Sequence, residues 1–268
     1  MRGPRMRGTF LHALQMDLKR AFLSWRFVVS VVLGGAVCYF TLLFCGPFRR
    51  DTLYEYVLLH DRSQVFLAYI AGVLAYSLCF YDDFKYGNIQ NVTGRIRIPT
   101  YVMSKTIAAV LSAICAFILG KFLFIALYTV NHPICLPDTL NTIPTTSRLY
   151  YNLLTEQHYI GFFFITSLQK SLYCGILCQM VMIVSILIPN KAVVFSVPIA
   201  VFYVLTFYVN EKTGMSDYLN FSLIFDGYTR IWLKDGISFA YSVVIALICY
   251  FILYRLTLWV VRKKVYHE

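Results

Sequence analysis

The sequence predicts an all-α, polytopic membrane protein: six transmembrane helices, an amphipathic helix ahead of them in the interface, and both termini on the cytoplasmic side. Three observations carry that expectation. Of 268 residues, 59% are hydrophobic and only 14% charged, with a mean hydropathy of +0.65, whereas an ordinary soluble domain carries roughly 25% charged residues. The apolar residues gather into six runs of about 20, the length a helix needs to cross ~30 Å of hydrocarbon. The Lys and Arg residues gather at one alternating set of run ends, which orients the runs. The 22 Phe and 21 Tyr exclude a disordered chain. The spans and loops leave no length for a soluble nucleotide-binding domain, so residues 1–268 read as one transmembrane domain.

The N-terminus carries Arg2, Arg5 and Arg7 ahead of an apolar stretch. It resembles the opening of a signal peptide, but Asp17, Lys19 and Arg20 interrupt the stretch and no small-residue cleavage site follows, so removal is not expected. Over 9–26, Phe10, Leu11, Leu14, Leu18, Ala21, Phe22 and Trp25 recur at spacings of three and four. That periodicity predicts an amphipathic helix lying in the headgroup plane. The spans follow at about 27–45, 64–81, 107–128, 168–188, 192–209 and 237–261. Pro189-Asn190-Lys191 separates the fourth from the fifth as a tight hairpin, because a proline inside one long helix removes a donor and clashes with the preceding turn.

With both termini inside, the external Lys/Arg are Arg49, Arg50, Arg62, Arg148, Lys212, Arg230 and Lys234. Lys121 and Lys170 fall within spans, leaving fifteen of the 24 basic residues on the inner side. The second external loop is expected to be irregular around Pro133, Pro137 and Pro144, with its aromatic run 159–164 along the outer interface. The third, 211–236, mixes aromatics with charges and suits a short interfacial or re-entrant helix.

Several function classes find no residues to serve them. HExxH, GxSxG, GxxxxGK[ST] and GxGxxG are absent from the sequence, so no ATPase is expected within this chain, although one on a separate partner is allowed. The five histidines are scattered over termini and external loops, a poor basis for a metal site. The eight cysteines lie mostly inside apolar runs and form no CxxC pair. Cys174 and Cys178 share a helical face and suit packing, and a Cys45–Cys135 bridge stays open. The net charge of +11 flanks apolar runs and does not form a soluble basic face, which argues against a nucleic-acid partner. Within spans, Lys121 and Lys170 have two readings. Each stem can lift its ammonium to the outer interface, or each ammonium can line a polar translocation path.

The stretch between spans two and three, 82–100, is the most informative. Asp82 and Asp83 close a span, and Gly87 permits a left-handed turn out of it. About two helical turns fit between Asn88 and Thr93, Arg95 and Arg97 follow, and Pro99 can open the next helix. A short polar-faced helix there suits docking to a soluble partner; a plain positive-inside connector is the simpler alternative.

In its order of residues the loop resembles that of permeases of ABC-2 type exporters: an acidic residue (Asp82 or Asp83), a spaced Gly87, a coupling helix holding Asn91, then Arg97, Tyr101, Ser104 and Lys105. The helix at 9–26 resembles that family's elbow helix, and six spans fit it across nearly the whole chain. Two departures stand out: Asp in place of the commoner Glu, and Thr93-Gly94 in place of a more apolar segment. The resemblance implies the membrane half of an ATP-driven exporter. No cofactor would bind this chain, ATP and Mg belonging to a partner ATPase. Its partners would be cytoplasmic ABC ATPase subunits, a second permease (identical or homologous) and membrane lipids. Asp82, Asp83, Gly87, Asn91, Arg95, Arg97 and Lys105 would couple to the ATPase without catalytic roles, in a multi-pass protein of a bacterial plasma membrane. An amphiphilic cargo (peptide, drug or lipid) is expected from small permeases of this type. Two alternatives from other classes are a non-transporting sensor or scaffold that docks an ATPase, and an intramembrane lipid-modifying enzyme.

Overall fold

The computed structural model describes residues 6–45, 51–61, 66–87, 89, 96–136, 139, 149–188, 190–204, 218, 220–227 and 234–267. All regular structure among them is helical. In chain order the elements are α1 (Met6–Phe22), α2 (Trp25–Cys45), α3 (Thr52–Asp61), α4 (Phe66–Val73), α5 (Cys79–Lys85), α6 (Ile98–Thr129), α7 (Tyr151–Thr155), α8 (Tyr159–Leu187), α9 (Lys191–Tyr203), α10 (Phe221–Ile224) and α11 (Asp235–His267). Four helices are long and apolar enough to cross a membrane: Trp25–Phe44, Ile98–Thr129, Tyr159–Leu187 and Asp235–Val265. The chain is a membrane protein.

The centre of the bundle is α8, packed on α6, α11, α9 and α4. Small residues set the close crossings, as expected where lipid offers no hydrophobic drive for helix association. A Cβ on Gly120 of α6 would sit 3.2 Å from the Cα of Gly34 in α2, and one on Gly72 of α4 would sit 2.7 Å from the Sγ of Cys174 in α8. Cys174 and Cys178 are both fully buried, in keeping with packing. The outer faces of α2 and α11 expose Val32, Phe40, Leu247, Phe251, Ile252 and Trp259, an apolar belt suited to hydrocarbon.

Several boundaries differ from expectation. The second span, expected at 64–81, is broken: α4 ends at Val73, and α5 begins only after a turn at 74–78. That turn is tightened by bonds from Ala75 N to Gly72 O (3.4 Å) and from Cys79 N to Tyr76 O (3.2 Å). Irregular backbone at such depth is tolerated only where protein surrounds it, and Ala75, Ser77 and Leu78 are buried. The fifth span, expected at 192–209, is helical over Lys191–Tyr203, and its remainder lies outside the described residues, as does Pro189.

Other helices are longer than hydropathy suggested. α6 begins at Ile98 rather than 107, with Pro99 in its first turn. α8 begins at Tyr159 rather than 168. The aromatic run 159–164 is therefore helical, and Phe162 and Phe163 are core residues at 1% and 2% exposure rather than interface anchors.

The loop between α2 and α4 holds the unexpected helix α3. Its buried face of Leu53, Tyr56, Val57 and Leu59 folds back into the bundle. Its first turn is pinned by residues 133–136: Thr52 N and Leu53 N donate to the carbonyls of Pro133 and Ile134 at 2.9 Å each, and Leu136 N donates to the Asp51 carboxylate at 3.0 Å. In the last long loop, the single turn α10 is capped by Asn220, whose side chain accepts from Ser222 N and Leu223 N. The chain then plunges inward, burying Ile224 and Phe225 and crossing against Thr166 at Gly227, where φ is +67° and a Cβ would come within 2.9 Å of the Thr166 carbonyl. A short helix thus lies in the stretch 211–236, where an interfacial or re-entrant one is expected.

Candidate functional site

The described part of the 82–100 segment meets the amphipathic helix in a buried ionic node. Lys105, two turns into α6, sets its ammonium 2.8 Å from Asp83 and 3.7 Å from Asp17. Tyr101, one turn earlier on the same face of α6, donates to Asp83 at 2.6 Å. Ser104 donates to Asp17 at 2.7 Å, and the Tyr76 hydroxyl reaches the other oxygen of Asp17 at 3.4 Å. The Tyr101 and Tyr76 rings also lie 5.3 and 5.8 Å from the Lys105 ammonium, close enough for cation–π attraction. Lys105, Asp83 and Asp17 are all buried. Two carboxylates share one ammonium: Lys105 and Tyr101 converge on one Asp83 oxygen, Lys105 and Tyr76 on one Asp17 oxygen, and Ser104 takes the other Asp17 oxygen.

The local sequence explains why these groups meet. Asp17 lies between Ala13 and Ala21 at spacings of four, and those three form the buried stripe of α1. Alanines let α1 approach α6 closely enough for the short aspartate to reach Ser104 and Lys105. The larger apolar residues Leu11, Met16, Leu23 and Trp25 point away and are exposed. Of the apolar stripe expected to face lipid, Leu11 and Trp25 are exposed, but the residue that docks the helix is an acid. Asp82, next to Asp83, turns the other way and pairs with Arg26 at the start of α2, at 2.5 Å. That pair is partly exposed, so it adds little stability. Lys264 near the end of α11 closes the same region, donating to the Ile186 carbonyl of α8 at 2.9 Å and lying 4.6 Å from the Phe84 ring.

Of the expected coupling residues, Asp83 and Lys105 are joined directly, and Asp82 belongs to the neighbouring pair. Gly87 has φ +66° with open space around it, the left-handed turn its position predicts. Arg97 is exposed at the start of α6, where its carbonyl accepts from Tyr101 N at 3.1 Å. Asn91, Arg95 and most of the expected coupling helix lie outside the described residues. Asp17, Arg26 and Tyr76 were not anticipated. For Asp17 the available signal was an acid at the centre of an alanine stripe.

A second polar region lies toward the other end of α6 and α8. Lys121 and Lys170 do not snorkel: they are 1% and 3% exposed. Each sits beside a polar element that hydropathy did not place, α3 for Lys121 and the α10 turn for Lys170. Lys170 pairs with Asp226, just after α10, at 3.1 Å. The Lys121 ammonium has no hydrogen-bond partner among the described residues and lies over the rings of Tyr56 (5.4 Å) and Phe117 (5.9 Å). The Tyr56 hydroxyl is 2.9 Å from both Thr166 Oγ1 and Ser167 Oγ. Burial pushes its phenol up to about 12, so it stays neutral beside the lysine. Gln169 ties this region together, donating to the Ile224 carbonyl and to Ser242 at 2.9 Å each while accepting from Tyr150 at 2.7 Å.

Around these groups stand Tyr69, Phe117, Tyr173, Phe202 and Phe225. Tyr69 stacks on Phe117 at 4.9 Å and Tyr173 on Phe225 at 5.7 Å. Farther along α6, a cavity of about 170 Å³ is lined by Tyr39, Leu127, Tyr128, Asn131 and His132. Among the described residues no group of three His, Cys, Asp or Glu is placed to hold a metal. The arrangement offers charge pairing and aromatic surface at one end, and a rigid three-helix junction at the other. No family model matches the chain, and no curated protein or solved structure matches it either.

Proposed function

We propose that the chain is the permease subunit of an ATP-driven exporter of the ABC-2 type, moving an amphiphilic substrate with energy from a separate cytoplasmic ATPase. It crosses the membrane six times with both termini inside, the broken α4–α5 segment and the one that begins with α9 supplying the two crossings beyond the four long helices. A second permease, identical or homologous, completes the translocation path in a bacterial plasma membrane.

The observation that carries this reading is the ionic node of Asp17, Asp83 and Lys105. A passive gate worked from outside needs a rigid joint between the surface its motor grips and the spans that move. Here one lysine fastens the interfacial helix α1, the segment that enters the 86–97 loop, and the helix that leaves it. Displacing that loop displaces α1 and α6 together. A plain connector has no need of three buried charges, whose desolvation is costly. The partner ATPase would have to contact the loop differently in its two nucleotide states for motion to follow.

The test is isolation from native membranes in a mild detergent. The expected result is a soluble ATPase recovered in stoichiometric amount, with ATP hydrolysis that an amphiphilic substrate stimulates. Recovery of the chain without any ATPase would overturn the proposal. An ATPase whose turnover no substrate alters would leave a scaffold in place of an exporter.

A further inference from the structure

We infer that Lys121 is the anchor of an internal binding site for an amphiphile carrying a single carboxylate or phosphate group. The inference rests on the exporter reading for its physiological meaning, though its test does not require an ATPase.

An ammonium withdrawn from both water and lipid needs a counter-charge or several acceptors. Lys170 has one in Asp226 and Lys105 has two. Lys121 is as deeply buried as either, yet its nitrogen has no hydrogen-bond partner and no ion pair among the described residues. Two aromatic faces are its nearest favourable contacts, and they give an ammonium only part of what water does. A ligand anion supplies the missing charge.

The surroundings select the rest of the ligand. Phe117 continues into the stacked Tyr69, the edge-on Tyr173 and the tilted Phe202, an aromatic wall that fits an acyl or other apolar body. The Tyr56 ring that the ammonium lies over carries a hydroxyl bonded to Thr166 and Ser167; with Thr166 donating to the Phe162 carbonyl, Tyr56 and Ser167 are the hydroxyls able to turn a proton to an anionic oxygen. Positions 121, 124, 128 and 132 share one stripe of α6 and its extension, since residues three and four apart on a helix fall on one face. The cavity at Tyr128 and His132 therefore lies two turns beyond Lys121 on the same face, with Phe124 and Tyr128 between. Lys121 is buried in this conformation, and Phe124 lies along the stripe between it and Tyr128, which lines the cavity.

The experiment measures binding of dodecanoate and dodecyl phosphate to the purified full chain in an uncharged maltoside detergent, for wild type, Lys121→Met and Lys121→Arg, together with the melting temperature of each without ligand. Saturable binding is expected, weakened about tenfold or more by Lys121→Met and within about threefold of wild type in Lys121→Arg, as for loss or retention of a charge-assisted bond. Lys121→Met should also melt no lower than wild type, because it removes a buried charge without a partner. A lysine kept only for packing gives the opposite pattern, a lower melting temperature and unchanged binding, and that result overturns the inference. So does the absence of saturable binding by either probe. Acetate and inorganic phosphate are the controls for a small free anion. If either displaces dodecanoate at comparable concentration, the amphiphile assignment fails. A chain that binds dodecanoate but recruits no ATPase would retain this site and lose the exporter function, whereas an assembled exporter without binding would lose the site alone.

Discussion

Replacing Lys105 by Met keeps the length and apolar contacts of the stem and deletes only the ammonium. Asp83, at 2.8 Å, and Asp17, at 3.7 Å, both lose their counter-charge, and they are only 8% and 6% exposed. Removing one member of a buried pair typically costs about 3–5 kcal/mol, because the other charge is stranded. Two charges are stranded here, but Tyr101, Ser104 and Tyr76 still donate to them. The loss is therefore expected within that range and not at twice it. Adding Asp83→Asn removes the more tightly held of the two carboxylates. The remaining Asp17 keeps its Ser104 and Tyr76 donors, so the double variant should recover about 2 kcal/mol of the loss, a coupling of the size neighbouring groups show. Equilibrium unfolding in mixed micelles, followed by far-ultraviolet circular dichroism, measures all three variants. Lys105→Met within about 0.5 kcal/mol of wild type, the range of an ordinary surface substitution, would refute the reasoning. So would a double variant as unstable as the sum of its parts.

Three further outcomes follow from the same coordinates. Arg26→Gln, which breaks the partly exposed pair with Asp82, should change stability by less than about 1 kcal/mol in the same unfolding assay. Gly120→Ala places a Cβ 3.2 Å from Gly34 Cα, whereas Gly34→Ala meets Gly120 only at 3.5 Å. The first should destabilise by about 1–3 kcal/mol and the second by clearly less, measured side by side. Gln169→Leu removes a donor from the Ile224 carbonyl and Ser242, which still bond each other at 2.6 Å, and leaves the Tyr150 hydroxyl without its acceptor. With a cost of about 1–3 kcal/mol for each buried group left unsatisfied, hydrogen exchange should rise at 221–227 while α2 stays unchanged.

The all-helical class and the four long spans were legible because hydrophobic runs of 20 or more residues admit few alternatives. The Asp83, Tyr101, Ser104 and Lys105 constellation was visible in the loop as a resemblance. Its physical form was not, because the group that completes it, Asp17, lies 66 positions before Asp83 in a helix whose hydrophobic residues suggested a different docking face. A pattern of large apolar residues reports which side of a helix prefers lipid; it does not report that a stripe of alanines permits closer approach on the other side. Span two reads as continuous in the sequence because hydropathy averages over a window and passes across the break at 74–78 unseen. α3 was missed for a related reason: ten residues containing Glu55 and His60 lack the length and apolarity of a span, and their burial comes from Tyr56 meeting Thr166 and Ser167 far along the chain. Lys121 and Lys170 were expected either to snorkel or to line a path. Their burial follows from α3 and the α10 turn packing over them, contacts that no local pattern encodes.

The central claim is that the node at Lys105 transmits force and does not merely hold the fold together. The Lys105→Met/Asp83→Asn variant separates those roles, because it restores much of the stability without restoring the ionic joint. It should be assembled with the ATPase that the proposed exporter requires and compared with wild type for ATP hydrolysis and for ATP-driven substrate efflux from proteoliposomes. The account predicts assembly and basal hydrolysis within about twofold of wild type and efflux reduced about tenfold or more, which corresponds to a coupling of about 1.4 kcal/mol. Efflux at the wild-type rate in that variant would contradict it.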